Sequence, residues 1–358
     1  MAVWVAALLA AMQDLTPAEL IDKGLAEILK IQEDSQWPYE GVYRVRGEIP
    51  VGYRIGGTSI TAGAILAAAK TSDKKSAEAV DQAVAFVLKE LSHADMRPST
   101  QNAYDVRVWG HACALEFLCR LRAAKRTGAR AKDVDTWIAT LVKTLVEEEL
   151  ATGGWNYANR NAHAAFVTAP VTQALLLARG QGEKVPDQVL QRARKALEGS
   201  RVDSGAFIYS GAINGPDDPR AKLPGSIARS PAAETTLLLL GGGSKDAIRK
   251  SLDAFHAHWE ELEKRRKKTG THEGEFAIAP YYFYFGHRYA AQAIEMLPKE
   301  ERAKERKRLL EKILRTRDGD GTWNDRIFAR SRAYGTAVVI LALLGEKAPP
   351  PSSMDRDY

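Results

Sequence analysis

The groups in this 358-residue chain that could move protons near neutral pH are seven histidines and a few acids set among apolar residues. Asp105, Arg107 and His111 lie close together. With His163, Tyr282 and His287 facing them they would form a workable constellation, histidine or tyrosine acting as base and arginine neutralising a carboxylate. Glu234 stands alone in an otherwise uncharged stretch, where an unpartnered carboxylate is costly. It is either a pocket acid with a raised pKa or the partner of an arginine such as Arg229 or Arg332. The catalytic candidates are therefore Asp105, His111, His163, Glu234 and His287. Rings and cations suited to holding a ligand are Tyr104, Arg107, Trp155, Tyr157, Tyr281, Tyr282, Arg330, Arg332 and Tyr334. The same loops also carry Tyr39, Tyr53, Tyr209, Arg229, His272, Asp325 and Arg326. Any single one of these histidines or tyrosines is more readily a hydrogen-bonded packing residue than a catalyst.

What must position them is a repeat. Gly321-Thr322-Trp323 is followed by the apolar run Tyr334–Leu344, and Gly153-Gly154-Trp155 by Thr168–Ala178. Weaker copies are Gly205-Ala206-Phe207, Gly274-Glu275-Phe276 and the turn at Trp37, while the copy near Met96 has lost the signature. Before each turn lies a charged amphipathic segment: 18–32, 76–91, 134–150, 187–197, 245–265 and 300–314. In the first, Leu20, Ile21, Leu25, Ile28 and Leu29 recur at helical spacing between Asp22, Lys23, Glu27 and Lys30. After each turn the helix is nearly uncharged and so buried on most sides. Six such units of roughly 50–70 residues predict an all-α fold, an (α/α)6 barrel with uncharged helices inside and charged ones outside. Links from outer to inner helices are long, and those from inner to outer are short. All long links therefore fall at one end, with the N-termini of the inner helices, and that end is the expected working face.

The Gly-x-Trp turns with their Ser/Thr/Ala-rich helices resemble the repeats of squalene–hopene cyclases and protein prenyltransferase β subunits, over about residues 15–345. The resemblance implies an α/α toroid. Its catalytic motifs are not carried over. There is no Asp-x-Asp-Asp acid motif, and Asp318-Gly319-Asp320 belongs to a turn. The Asp-x-Cys zinc pair of the prenyltransferases is missing, as is the Cys-Gly-Glu-Gln of the related thioester toroids. No metal and no cofactor are expected. A polar-aromatic pocket with an unidentified ligand is the first reading. An (α/α)6 polysaccharide lyase or glycosidase is the second, since sugars need stacking aromatics and paired carboxylates. A binding or scaffold module without chemistry is the third.

Composition adds bounds. Net charge is +6, much of it on the charged outer segments 263–268 and 299–317, which read mainly as solvated faces. No nucleic-acid motif is present. Cys113 and Cys119 sit six apart on one helix and face apart. No apolar run reaches the ~20 residues of a membrane span. Val3–Ala11 reads either as the apolar core of a secretory signal, implying a secreted or periplasmic protein, or as an N-terminal helix of a cytoplasmic one. The expected layout is 1–14 as that segment, 15–346 as the toroid and 347–358 as an unfolded tail, in a monomer that takes a small molecule or glycan.

Overall fold

The computed structural model describes residues 15–98, 106–157, 161–211 and 218–354. Among them are thirteen α-helices and no β-strand, only isolated bridges. The outer helices are α1 (Pro17–Lys30), α3 (Lys74–Glu90), α5 (Ala131–Glu147), α7 (Asp187–Ser200), α9 (Lys245–Ala257) with its short continuation α10 (Trp259–Glu263), and α12 (Lys299–Arg315). The inner helices are α2 (Val51–Ala68), α4 (Arg107–Ala123), α6 (Ala165–Gly180), α8 (Ser230–Leu239), α11 (Tyr282–Glu295) and α13 (Arg332–Leu344). Each inner helix packs on the next, and α13 closes the ring on α2. The barrel is therefore the expected (α/α)6 toroid.

Local sequence explains the division. In α1, Thr16 and Glu19 form a reciprocal capping box ahead of Pro17, and only Leu20, Gly24, Leu25 and Ile28 are buried. Inner α2 buries residues all around, from Gly52 through Ile65.

The tryptophan turns join the two rings by one repeated device. The indole N–H of Trp37, Trp155 and Trp323 donates to the carbonyls of Ile28, Leu145 and Ile313, near the C-terminal ends of the preceding outer helices. Their backbone N–H groups donate to the hydroxyls of Thr58, Thr168 and Thr336 on the following inner helices, at 3.0–3.1 Å. Each turn N–H and each indole N–H, buried away from water, is thereby satisfied. Phe207 keeps half the device, its N–H donating to Ser226 at 2.7 Å. Glycine makes the approach possible. A Cβ on Gly335 would lie 2.3 Å from the Trp323 carbonyl oxygen, and one on Gly57 2.6 Å from that of Trp37.

The barrel axis is filled. In the ring order α4 stands opposite α11, and Glu116 of α4 meets Arg288 of α11 with Oε–Nη2 separations of 2.6 and 2.7 Å. Gln292 of α11 donates to Gln173 of α6, which donates to Thr236 of α8. Nearer the long links, Phe166 of α6 stacks on Phe285 of α11, centroids 3.9 Å apart. At the C-terminal end the expected unfolded tail is partly corrected. Residues up to Met354 lie back on the barrel, where the Met354 N–H donates to Leu239 at 2.8 Å. No helix of the described residues is long and apolar enough to cross a membrane. The segment 1–14 lies outside the described residues.

Candidate functional site

The long links converge on the N-terminal ends of the inner helices, and an aromatic mouth forms there. Tyr39, Tyr53, Trp109 and Tyr334 make one half, with Tyr39 4.7 Å from Tyr334 and 5.1 Å from Tyr53, ring to ring. Trp109, in the first turn of α4, lies flat on α2 because residue 56 is glycine. A Cβ at Gly56 would stand 2.1 Å from the indole. Phe166, Tyr209, Tyr281 and Tyr282 make the other half, with Tyr281 and Tyr282 4.9 Å apart. Between the halves is a hollow of about 20 Å³, lined by Tyr39, Tyr53, Trp109, Tyr157, Phe166, Tyr281 and Tyr334. That is room for about one water.

Two polar groupings adjoin the hollow. The first centres on His272, whose Nε2 is 3.0 Å from the Tyr281 hydroxyl and whose Nδ1 is 3.3 Å from that of Tyr282. Tyr209 continues the chain at 3.2 Å from Tyr281. Burial pushes the His272 pKa down, with Arg229 adding to the effect against a hydrogen bond at the Ala277 backbone, so the ring is neutral. His272 also has φ +54, an uncommon left-handed backbone. Arg229 is buried, donates to the Phe207 and Gly225 carbonyls at 2.6 Å, and lies over the Tyr282 ring. The second grouping is Tyr39, Asp325 and Arg326, all buried. Among the described residues the Tyr39 hydroxyl and Nε and Nη1 of Arg326 have no hydrogen-bond partner, and the Asp325 carboxylate has no side-chain partner, only the backbone N–H groups of Tyr284 and of Asp325 itself acting on it. Burial pushes Asp325 up to about 6, against the pull of Arg326.

The residues singled out from sequence divide. Tyr157, Tyr281, Tyr282 and Tyr334 stand at the mouth. The described catalytic candidates, His111, His163, Glu234 and His287, do not converge, which departs from the expected constellation. His287 is fully buried behind the inner ring. Its Nδ1–H donates to the Phe283 carbonyl at 2.7 Å, and Nε2 accepts the Trp259 indole N–H at 2.9 Å. Both nitrogens are committed, and burial drives its pKa down to about 4. His111 and Arg107 share Glu148, at 3.0 and 2.7 Å, in a buried cluster at the end of α5. His163 meets the Ser200 hydroxyl at 3.0 Å, under the C-terminus of α7. Glu234 pairs with Arg201 beside α7, a partner other than the two arginines considered. Burial still raises its pKa. Trp155 is structural, as described. Arg330 pairs with Glu33 at 3.0 Å and Arg332 faces Asp320 at 3.6 Å, both on the outside. Tyr104 and Asp105 lie outside the described residues.

His272, Tyr209, Asp325 and Arg326 are not marked as a group by the sequence, although each lies in a long link. The cue was present: polar residues crowded into the links that meet at one end. Nothing in their spacing says which of them turn inward.

A larger hollow, about 980 Å³, opens at the opposite end beside Pro351–Met354. Its carboxylate, Glu295, is already held by Arg306 at 2.6 and 2.8 Å, and no histidine lines it. Volume alone therefore does not make it the chemical site. Among the described residues no cluster of three or more His, Cys, Asp or Glu could hold a metal.

No protein-family model and no curated protein sequence matches the chain. Solved structures do resemble it. The α-1,6-mannanase GH76A of Salegentibacter matches 92% of this chain and 100% of its own, with TM-score 0.57 at 13% identity. An inactive variant of that enzyme has been solved with α-1,6-mannotetrose, with TM-score 0.58 at 11% identity and the same coverage of 92% and 100%. The type II terpene cyclase MstE of Scytonema matches 92% of this chain and 98% of its own, with TM-score 0.51 at 15% identity. A possible member of the GH105 family from Salmonella enterica matches 93% and 95%, with TM-score 0.53 at 13% identity. At such identities these likenesses show the fold alone: the chain is an α/α toroid, an architecture found in both glycan-cleaving and terpene-cyclising proteins.

Proposed function

We propose that the aromatic mouth is a carbohydrate subsite. The observation that supports it is the set of Tyr39, Tyr53, Trp109, Tyr157, Tyr281 and Tyr334 around one shallow hollow. A sugar ring has an apolar C–H face and hydroxyl edges. Aromatic faces edged with phenol groups match both. Pockets that engulf a drug-sized ligand hold roughly 300–1,000 Å³, far more than the hollow offers, so a ligand here lies on the rings. The similar structure holding mannotetrose supports the class of ligand. His272 and Tyr281, 3.0 Å apart, supply a neutral imidazole and a phenol able to exchange a proton with a bound sugar.

The test is binding of a panel of neutral and acidic oligosaccharides, followed by tryptophan fluorescence. Trp109→Ala and Tyr281→Ala are each expected to weaken binding about 3- to 10-fold, from the worth of one aromatic contact. No binding across the panel would sink the proposal. Cleavage of a bound glycan that is lost in His272→Ala, with binding retained, assigns the pair to catalysis. Binding without product leaves a recognition module.

A second reading is favoured by Asp325. A buried carboxyl raised to about 6 that interacts electrostatically with Tyr39 and Tyr334 has the character of an acid that protonates an alkene among rings, in keeping with the terpene-cyclase resemblance. It requires the hollow to open several-fold. Turnover of a polyprenyl substrate by the native chain, lost in Asp325→Asn, would favour this reading over the glycan one.

A further inference from the structure

The outer ring has a seam. Its first helix, α1, and its last, α12, flank the inner helix α13, and at the seam an apolar hollow of about 150 Å³ opens to the surface. Pro17 at the start of α1, Ile294 of α11, Leu309, Leu310 and Ile313 of α12 and Leu343 of α13 line it. Elsewhere outer helices meet, α1 against α3 and α3 against α5. At the seam the apolar stripe of α12 is only half covered. Leu309 and Ile313 are buried, while Leu310 and Leu314 stay partly exposed, as does Leu343. A hollow lined in this way takes an apolar group in preference to water.

We propose that the occupant is the chain's own residues 3–12, retained and laid over the seam, with their apolar side chains on Leu310 and Leu343. The chain arrives at the right place. Pro17 stands at the edge of the hollow, and Leu15, two residues earlier, already packs against the core. Before it runs Val3-Trp4-Val5-Ala6-Ala7-Leu8-Leu9-Ala10-Ala11-Met12, which has no charged side chain. A segment apolar all round has to be covered. Trp4, Leu8, Met12 and Leu15 recur at intervals of four, four and three, the spacing of one helix face. Charge agrees with this placing. Asp14 is the only charged side chain ahead of Thr16, and Lys307 at the rim of the hollow has no ion-pair partner among the described residues. Met12 is five positions from Pro17, so the tethered segment meets the seam at a high effective concentration. A second copy of the chain would have to compete with it.

The experiment uses the full chain. Hydrogen exchange on the native protein is expected to show the amides of residues 5–12 slowed at least about tenfold relative to a free peptide of the same sequence. Exchange at the free-peptide rate overturns the proposal. Leu8→Ser with Leu9→Ser alters the segment on both faces and should remove that protection and lower the urea midpoint. Leu310→Asp should do the same from the other side of the contact. All three substitutions together should lower the midpoint no further than Leu310→Asp alone, because they break one contact. Losses that add in full overturn the proposal. If Leu310→Asp fails to fold, exchange on the native chain decides by itself. Protection that grows with protein concentration would put a second copy in the seam and overturns the intramolecular assignment. An intact mass showing residues 1–14 removed on export would make the segment a cleaved signal, which overturns it as well.

Discussion

Two of the acid–arginine sets of this barrel are treated in opposite ways. Across the axis, Arg288 grips both oxygens of Glu116 at 2.6 and 2.7 Å, and Arg120 adds a third bond at 3.0 Å. Burial alone would raise the Glu116 pKa, yet Arg288 and Arg120 bring it down to about 2. In the long link after Trp323, Asp325 and Arg326 are neighbours in sequence, more deeply buried than Glu116, and among the described residues no ion pair joins them. Burial wins there, and Asp325 is held up at about 6. The first set spends its hydrogen-bonding capacity on joining opposite helices. The second leaves its arginine without a hydrogen-bonded acid among the described residues, at the end where the long links meet. A fold can bear an unsatisfied pair when the rest of the barrel is as well tied as the first set makes it.

Breaking the first set should produce the largest effect. Glu116→Leu leaves Arg288 charged and unpartnered inside the ring, at a cost of about 3 kcal/mol in urea unfolding. Glu116→Leu with Arg288→Met should recover most of that, because the pair's net contribution is small once both charges are gone. A double variant as unstable as the single one would mean that the cross-axis contact is more than a matched pair. The pH dependence has a definite sign. Glu116 is depressed from 4.5, so its contribution is present above about 4.5 and is lost as pH falls toward 2.

Asp325→Asn should act in the other direction. The Asp325 pKa is raised from 3.8 to about 6, so between those values the folded chain holds a proton that the unfolded chain has released. Stability from this group is greatest below about pH 4, falls as pH rises to 6, and stays reduced above. The asparagine variant removes that slope and should be more stable than the native chain by about 2 kcal/mol at pH 7.5, with little difference at pH 4. Urea midpoints at the two pH values check it. A variant destabilised at pH 7.5 would show that the charged carboxylate has a stabilising partner after all, and the contrast between the two sets would fail.

The toroid was legible in the sequence because its signals are periodic and local. The charged stripe of α1, the uncharged run of α13 and the Gly-x-Trp turns each report one element without help from the others. The end at which the long links gather was legible too, from their lengths. The partners of the candidate residues were not. His287 looks like a catalyst in a list of titratable residues, yet its ring spans Trp259 and Phe283 and is consumed by packing. His111 was grouped with Asp105 by closeness in sequence. In space its ring turns to Glu148, 37 residues later. Glu234 drew attention for being alone, and Arg201 answers it from a neighbouring helix. Which partner a polar side chain finds depends on rotamer and on helix rotation about the ring. Neither is written in spacing. Asp325 and Arg326 were passed over for the same reason, because a turn after Trp323 gives no sign that two of its residues point inward.

The smallest effect belongs to the turns, and it sets how far the structural side of the comparison extends. The Thr336 hydroxyl accepts the Trp323 N–H at 3.1 Å and donates to the Arg332 carbonyl at 2.7 Å. Its methyl carbon would stand 3.2 Å from a Cβ placed on Gly24 of α1, so it is packed as well as bonded. Thr336→Val keeps the shape and loses the acceptor, leaving a buried N–H without a partner, and should cost about 1–2 kcal/mol. Thr336→Ser keeps the acceptor and loses one methyl, which should cost about 0.8 kcal/mol. Valine worse than serine places the stabilisation in the hydrogen bond. Serine worse than valine places it in the packing against α1, and the turn device then owes its strength to the indole and not to the threonine. Either variant should leave ligand binding at the mouth within about twofold of native, since Thr336 faces the turn and not the hollow. A larger loss of binding would show that the tied turns and the open mouth are mechanically one unit, with the strain of the unsatisfied set borne by the very helices that Trp323 anchors.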